Sequence, residues 1–135
     1  MFEARIQTYW ADADPAGIDY FPHFFRFVEY SEEELFRSYG TARGQLLDEH
    51  NVWLPRVESH ANFKRPIHAG DAILVRVRVQ FKGEKAVRYD FEIIGEESGQ
   101  SLADGFVTLV CVDRTEFKAR ALPAPLRKAF ELACD

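Results

Sequence analysis

Between Ala72 and Ile93 the chain alternates. Ile73, Val75, Val77, Val79 and Phe81 take one side of a run whose other side carries Arg76, Arg78 and Gln80; after Lys82-Gly83-Glu84-Lys85 the pattern resumes, with Val87, Tyr89, Phe91 and Ile93 set against Arg88, Asp90 and Glu92. Side chains switch faces at every step of a strand, so each run is a strand with one apolar face, and the turn between them makes the pair an antiparallel hairpin. Such a hairpin is not stable alone: its apolar face needs a cover. The chain supplies one in Pro22 to Tyr39, where Phe24, Phe25, Phe27, Val28, Leu35, Phe36 and Tyr39 recur at helical spacing and Arg26, Glu29, Glu32, Glu33, Glu34 and Arg37 take the remaining face. Pro22 suits a first helical turn and Gly40 a C-terminal stop. Glu33 and Arg37, four residues apart, are placed to pair on the helix surface.

The remaining segments extend the sheet. Phe2 to Tyr9 reads as a strand with Phe2, Ala4, Ile6 and Thr8 on one side, a short helix is expected over Arg43 to Glu49, and Val52 to Phe63 and Leu102 to Val112 read as two further strands. In Val52 to Phe63, Arg56, Glu58, His60 and Asn62 fall opposite Val57, Ser59, Ala61 and Phe63, a polar face for a cleft or for solvent. Pro125 to Ala133 reads as a short closing helix. Strands gathered around one very hydrophobic helix define an α+β layer fold, the sheet curling over the helix. At 135 residues this is one domain, residues 1–135.

Composition excludes several functions. A net charge of -5 lacks the basic footprint of a nucleic-acid binder, and no apolar run reaches the roughly 18 residues of a membrane helix. The start of the chain has neither a basic leader nor an apolar core for secretion, and two cysteines 23 residues apart, Cys111 and Cys134, read as reduced, incidental thiols; a cytoplasmic protein is expected. The four histidines, His23, His50, His60 and His68, have no ligand spacing, so no metal is expected. Motifs of serine hydrolases, zincins, P-loops and dinucleotide folds are absent.

One segment departs from this pattern. In Ala-Asp-Ala-Asp-Pro-Ala-Gly-Ile-Asp-Tyr-Phe-Pro-His-Phe-Phe, Ala11 to Phe25, two aspartates and a turn interrupt an aromatic run between the first strand and the long helix. The unpaired N–H groups and partial positive charge of a helix start suit a developing oxyanion, and a carboxylate beside them inside an aromatic wall has the parts for acyl transfer. Aspartates in turns also serve simply as caps. From spacing alone both roles stay open.

This segment resembles the D-x-D-x-x-G-h-h-(Y/F)-x-x-x-(Y/F) signature of the 4-hydroxybenzoyl-CoA thioesterase family, hotdog-fold enzymes that include YbgC-like acyl-CoA thioesterases. Phe63-Lys-Arg-Pro-Ile-His-Ala-Gly-Asp71 is similar to the family's turn before the central hairpin, and Val110 to Pro123 to its last strand and tail. The resemblance implies a hotdog fold, a curved antiparallel sheet of about five strands wrapped around one long helix. It also implies hydrolysis of an acyl-CoA to free acid and CoA, with no cofactor beyond the CoA of the substrate. Asp14 becomes the general base or nucleophile, the backbone N–H near Phe21 the oxyanion donor, and Asp12 a shaper of the turn. YbgC-like members often carry histidine where this chain has Phe21. Gly17, Tyr20 and His60 join the candidate substrate contacts, and Lys82, Lys85, Arg88, Lys118 and Arg120 are the candidate partners of the CoA phosphates. The family's sites lie at a homodimer interface, so a homodimer or a dimer of dimers is implied. Rivals are a thioesterase for carrier-protein-bound acyl groups and a non-catalytic acyl-binding module; a hotdog hydratase is disfavoured, because no histidine follows an aspartate by five positions.

Overall fold

The computed structural model describes residues 1–18 and 21–135. Its elements are β1 (Phe2–Gln7), a 3-10 turn (Trp10–Asp12), α1 (His23–Tyr39), α2 (Arg43–His50), β2 (Val52–Trp53), β3 (Arg56–Phe63), β4 (Ala72–Lys82), β5 (Ala86–Gly95), β6 (Ser101–Val110), β7 (Val112–Asp113) and α3 (Ala124–Glu131). The five long strands form one antiparallel sheet in the order β1-β4-β5-β6-β3, while β2 and β7 pair separately. This is the expected α+β architecture. The hairpin runs in register from Ile73 opposite Gly95 to Lys82 opposite Ala86, so the alternation places Val75, Val77, Val79, Val87, Phe91 and Ile93 on one buried face.

Against that face lies α1. Phe24, Phe27, Val28, Leu35 and Phe36 are buried there, each contributing on the order of 1.5–3 kcal/mol of apolar burial. α3 closes the far end of the core: Phe130 is fully buried and meets the Phe36 ring edge-on at 5.1 Å. The helix stops at Gly40, whose N–H donates to the carbonyls of Phe36 and Arg37.

Besides the bulge described below, four sequence expectations change. The strand expected over Val52 to Phe63 breaks at Leu54-Pro55, because proline has no N–H for a ladder; β2 leaves to pair with β7, and the Pro55 carbonyl accepts the Val110 N–H. The strand expected to reach Val112 breaks at Cys111, whose N–H donates to the Lys85 carbonyl instead. The expected Glu33–Arg37 pair does not form: Arg37 turns to Glu34, and Arg43 of α2 takes Glu33 at 2.7 Å. Finally, Glu32, expected on the polar face of α1, is 2% exposed.

The largest difference is a β-bulge. Arg56 pairs with Leu109 but Glu58 pairs with Thr108, so two residues of β3 face one of β6. One extra residue reverses the facing of everything before it. Glu58, His60 and Asn62 keep the outer face, opposite Thr108, Phe106 and Asp104, whereas Arg56 is turned inward with Ser59, Ala61 and Phe63. Gly105 sits beside this irregular strand: a Cβ there would stand 1.9 Å from the His60 carbonyl oxygen, so β3 can approach β6 only across a glycine.

Candidate active site

Among the described residues, Asp14 is held by backbone groups. Its N–H donates to the Ile18 carbonyl at 2.8 Å, its carbonyl accepts the Gly17 N–H, and its Oδ1 accepts the Ala16 N–H at 2.8 Å. This Asx turn closes on Gly17, whose φ of +81° is left-handed and strained for any residue with a side chain. Ile18 then bridges to His68 and the Gly17 carbonyl accepts the Ala69 N–H, which fixes the turn to the loop before β4. That loop is itself anchored by the buried Thr8, whose hydroxyl and N–H both donate to the Asp71 carbonyl. The carboxylate is half-buried.

Asp12 has a different set of contacts. Its Oδ2 accepts the Tyr9 N–H at 2.9 Å, capping the 3-10 turn, and its carbonyl lies 2.8 Å from His23 Nδ1. A carbonyl only accepts, so the His23 ring carries its proton on Nδ1 and donates. His23 is the first residue of α1, and this hydrogen bond ties the aspartate turn to the helix start. Among the described residues, Asp12 thus holds both the 3-10 turn and the helix start, while the Asp14 carboxylate has one contact, to the backbone of its own turn. Phe21, just before α1, is 59% exposed, and its ring meets Phe63 of β3 edge-on at 6.0 Å; Phe24 meets the other side of this pair, 4.9 Å from Phe63. Tyr20 lies outside the described residues.

The other candidate contacts do not converge on Asp14. His60 and Arg88 meet on the outer face of the sheet, both against Phe106: the His60 ring stacks at 5.6 Å, and the Arg88 guanidinium sits 3.8 Å from the ring centroid. Lys82 and Lys85 flank the β4–β5 turn. Arg120 joins them because Cys111 links the two segments, its N–H to the Lys85 carbonyl and its carbonyl to the Arg120 N–H; Lys118 lies nearby, its carbonyl accepting the Asp113 N–H. This basic group stands at the far end of β4 from Asp14, about 30 Å along an extended strand. Cys111 is fully buried and burial pushes its thiol up, as suits an inert thiol.

A second cluster of ionisable groups was not anticipated. The buried Glu32 Oε2 accepts from the Tyr89 hydroxyl and from Arg56 Nη2 and is ion-paired at 3.2 Å with Arg43 Nη1, while Oε1 is buried with no hydrogen-bond partner among the described residues. Burial, then the Glu32 charge, push the Tyr89 hydroxyl well up, so it stays a donor. Burial lowers Arg43, but Glu32 and Glu33 outweigh it and hold the guanidinium above its ordinary value. Only the bulge, which local periodicity does not reveal, would have announced the inward turn of Arg56.

A curled five-stranded antiparallel sheet over one long helix, with an aspartate turn at the helix start, is the hotdog architecture, and the sequence agrees: residues 8–130 match the thioesterase-like superfamily, to which this chain belongs. It is a thioester hydrolase of that fold. Among similar proteins, a 1,4-dihydroxy-2-naphthoyl-CoA hydrolase of Synechocystis is 31% identical over 99% of this chain and 95% of its own. The long-chain acyl-CoA thioesterase FadM of Escherichia coli is 29% identical over 78% of this chain and 81% of its own. A crystal structure of a 1,4-dihydroxy-2-naphthoyl-CoA thioesterase from Synechocystis superposes with a TM-score of 0.89 at 30% identity, covering 96% of this chain and 94% of the other.

Proposed function

We infer that this chain hydrolyses acyl-CoA thioesters, with the Asp14 carboxylate acting on the thioester carbonyl as nucleophile or through a water as general base. The observation that carries this reading is the Asp12–His23 hydrogen bond, which sets the Asp14 turn at the start of α1. There the backbone N–H near Phe21 and the positive end of the helix serve the oxygen that becomes negative as the carbonyl turns tetrahedral. A thioester is already activated, so holding carboxylate and carbonyl in register supplies much of the acceleration. The D-x-D turn and the tail support placement in the 4-hydroxybenzoyl-CoA and YbgC-like branch, and the names of the relatives support a CoA ester as substrate. With CoA esters as substrate and two free cysteines, the enzyme belongs in the cytoplasm.

The site is completed by a second copy. β3 is an edge strand with Val57 60% exposed and Phe63 49% exposed, an unpaired edge that a homodimer would cover. Two β3 strands paired antiparallel around a two-fold axis invert the two sheets end for end. Lys82, Lys85, Lys118 and Arg120 of one subunit then share an end with Asp14 of the other, which answers their separation within one chain. Arg88 and His60 stay available on the outer face for the nucleotide.

Free-thiol release from acetyl-, hexanoyl-, palmitoyl- and benzoyl-CoA, beside the same acyl groups on a phosphopantetheinylated carrier protein, tests this function. Turnover of free CoA esters is expected. Turnover confined to carrier-bound esters would move the enzyme to carrier-protein chemistry, and binding without turnover of either would make it an acyl-binding module.

A further inference from the structure

Trp10 stands out of the fold. It opens the 3-10 turn that Asp12 caps, and it is 88% exposed, with Tyr9 exposed beside it. Tryptophan brings about 150–250 Å² of largely apolar surface and is highly buried on average, so this ring lacks a cover. The chain also carries a hollow of matching kind. A cleft of about 410 Å³ lies where α1, α2 and β2 meet, lined by Leu47, Leu54 and Pro55 and by the rings of Trp53 and Phe117.

Both rings of the hollow are set in place. The Arg114 guanidinium, whose Nε donates to the Val52 carbonyl at 2.9 Å, lies 3.6 Å from the Trp53 ring centroid. Phe117 has a φ of +55°, a left-handed conformation strained for a bulky residue, yet it is 62% exposed, so the strain serves no packing in its own chain. Strain of this kind gathers at clamps and functional sites. The charges around the cleft are met within the chain: Arg43 pairs with Glu29 and Glu33, Arg56 with Glu32 and Arg114 with Asp48. What remains for a partner is the apolar surface.

Ring and hollow are too far apart to meet in one chain. Asp12 is bonded to His23 at the start of α1, beside the Phe24–Phe63 contact that marks the end of β3, whereas Arg56 at the start of β3 lines the hollow. Phe63 and Arg56 each stand about 12 Å from the middle of that strand, at about 3.3 Å per residue. A two-fold axis through the middle of paired β3 edges turns one end onto the other, and equal distances from the axis let the ring of each copy meet the hollow of the other.

We propose that Trp10 of each copy docks between Trp53 and Phe117 of the other, so that a second copy of this chain completes the turn that carries Asp14. This deepens the reading above and rests on its β3-paired dimer. The consequence is catalytic. Trp10 to Asp14 form one continuous turn, tied by the Asp12 cap on Tyr9 and by the Asp14 contacts to Ala16 and Ile18, so a seated Trp10 fixes the approach of the carboxylate to the thioester.

The test measures sedimentation velocity over a dilution series, and kcat on an acyl-CoA that the wild type turns over, for the wild type, Trp10→Ala, Phe117→Gly and the double variant. Trp10 is exposed in its own chain and glycine suits the left-handed turn, so all are expected to fold as the wild type does, which circular dichroism checks. Loss of an aromatic anchor is expected to raise the dimer dissociation constant by about 30-fold or more in each single variant. Because the two rings touch each other, the double variant is expected to fall well short of the product of the single effects. In Trp10→Ala, kcat per subunit is expected to fall on dilution where the wild type holds its rate, and to return when the protein is concentrated. Unchanged dissociation constants, or a double variant showing the full product, would overturn the proposal. So would an unchanged dimer in which Phe117→Gly raises KM and weakens competition by the adenosine bisphosphate part of CoA, which would make the cleft a nucleotide site. A monomeric wild type would overturn the proposal together with the β3 pairing beneath it. A dimer that weakens as expected but hydrolyses no ester would uphold the docking and overturn only the hydrolase reading.

Discussion

Asp14 and Glu32 are both carboxylates beside α1, and the protein treats them in opposite ways. Asp14 is half-buried and bound through Oδ1 to one backbone N–H of its own turn. Glu32 is buried, with two side-chain donors and the ion-paired Arg43 converging on one of its oxygens. A carboxylate that must take a proton or attack a carbonyl needs lone pairs directed at the substrate, and strong donors would occupy them. One that must hold an arginine needs the reverse. Under the proposed function Asp14 carries the chemistry while Glu32 holds arginines in place, and the two are expected to respond to substitution differently.

Glu32→Ala is expected to have the largest effect on stability. It strands Arg56 and Arg43 beside a buried hydroxyl, and loss of one partner from a buried ion pair costs about 3–5 kcal/mol. Urea unfolding monitored by tryptophan fluorescence measures it; a loss of less than about 1 kcal/mol would show that the cluster is not a structural node. Gly105→Ala comes next. Its methyl meets backbone, which cannot swing aside as a side chain would, so strain of about 1–3 kcal/mol is expected in the same assay.

The two carboxylates also differ in how far the sequence discloses them. Every contact that holds Asp14 comes from residues close in the chain or from the loop before β4, so a local motif reports it: Asp12, Pro15 and Gly17 spell the turn, and Phe24 and Phe27 spell the helix it precedes. The hairpin was legible for the same reason, each strand carrying its own period. The partners of Glu32 stand on α2, β3 and β5, brought together only by packing, and helical spacing alone assigned Glu32 to a wet face. Arg56 was misplaced by a single residue: an unbroken period of two put it with His60, and the bulge between Arg56 and Glu58 reversed it. The chain breaks at Pro55 and Cys111 depend on the β2–β7 pairing, which involves segments about 60 residues apart.

The division of labour at the aspartate turn is tested most directly by measuring kcat and melting temperature together for Asp14→Asn and Asp12→Ala on an acyl-CoA that the wild type turns over. Asp14→Asn keeps the Asx turn and is expected to lower kcat by about 10²–10⁴-fold with an unchanged melting temperature. Asp12→Ala loses the cap on the Tyr9 N–H and is expected to cost about 1 kcal/mol of stability with a far smaller change in kcat. Unchanged turnover in a folded Asp14→Asn protein would contradict the assignment of the hydrolytic carboxylate to Asp14.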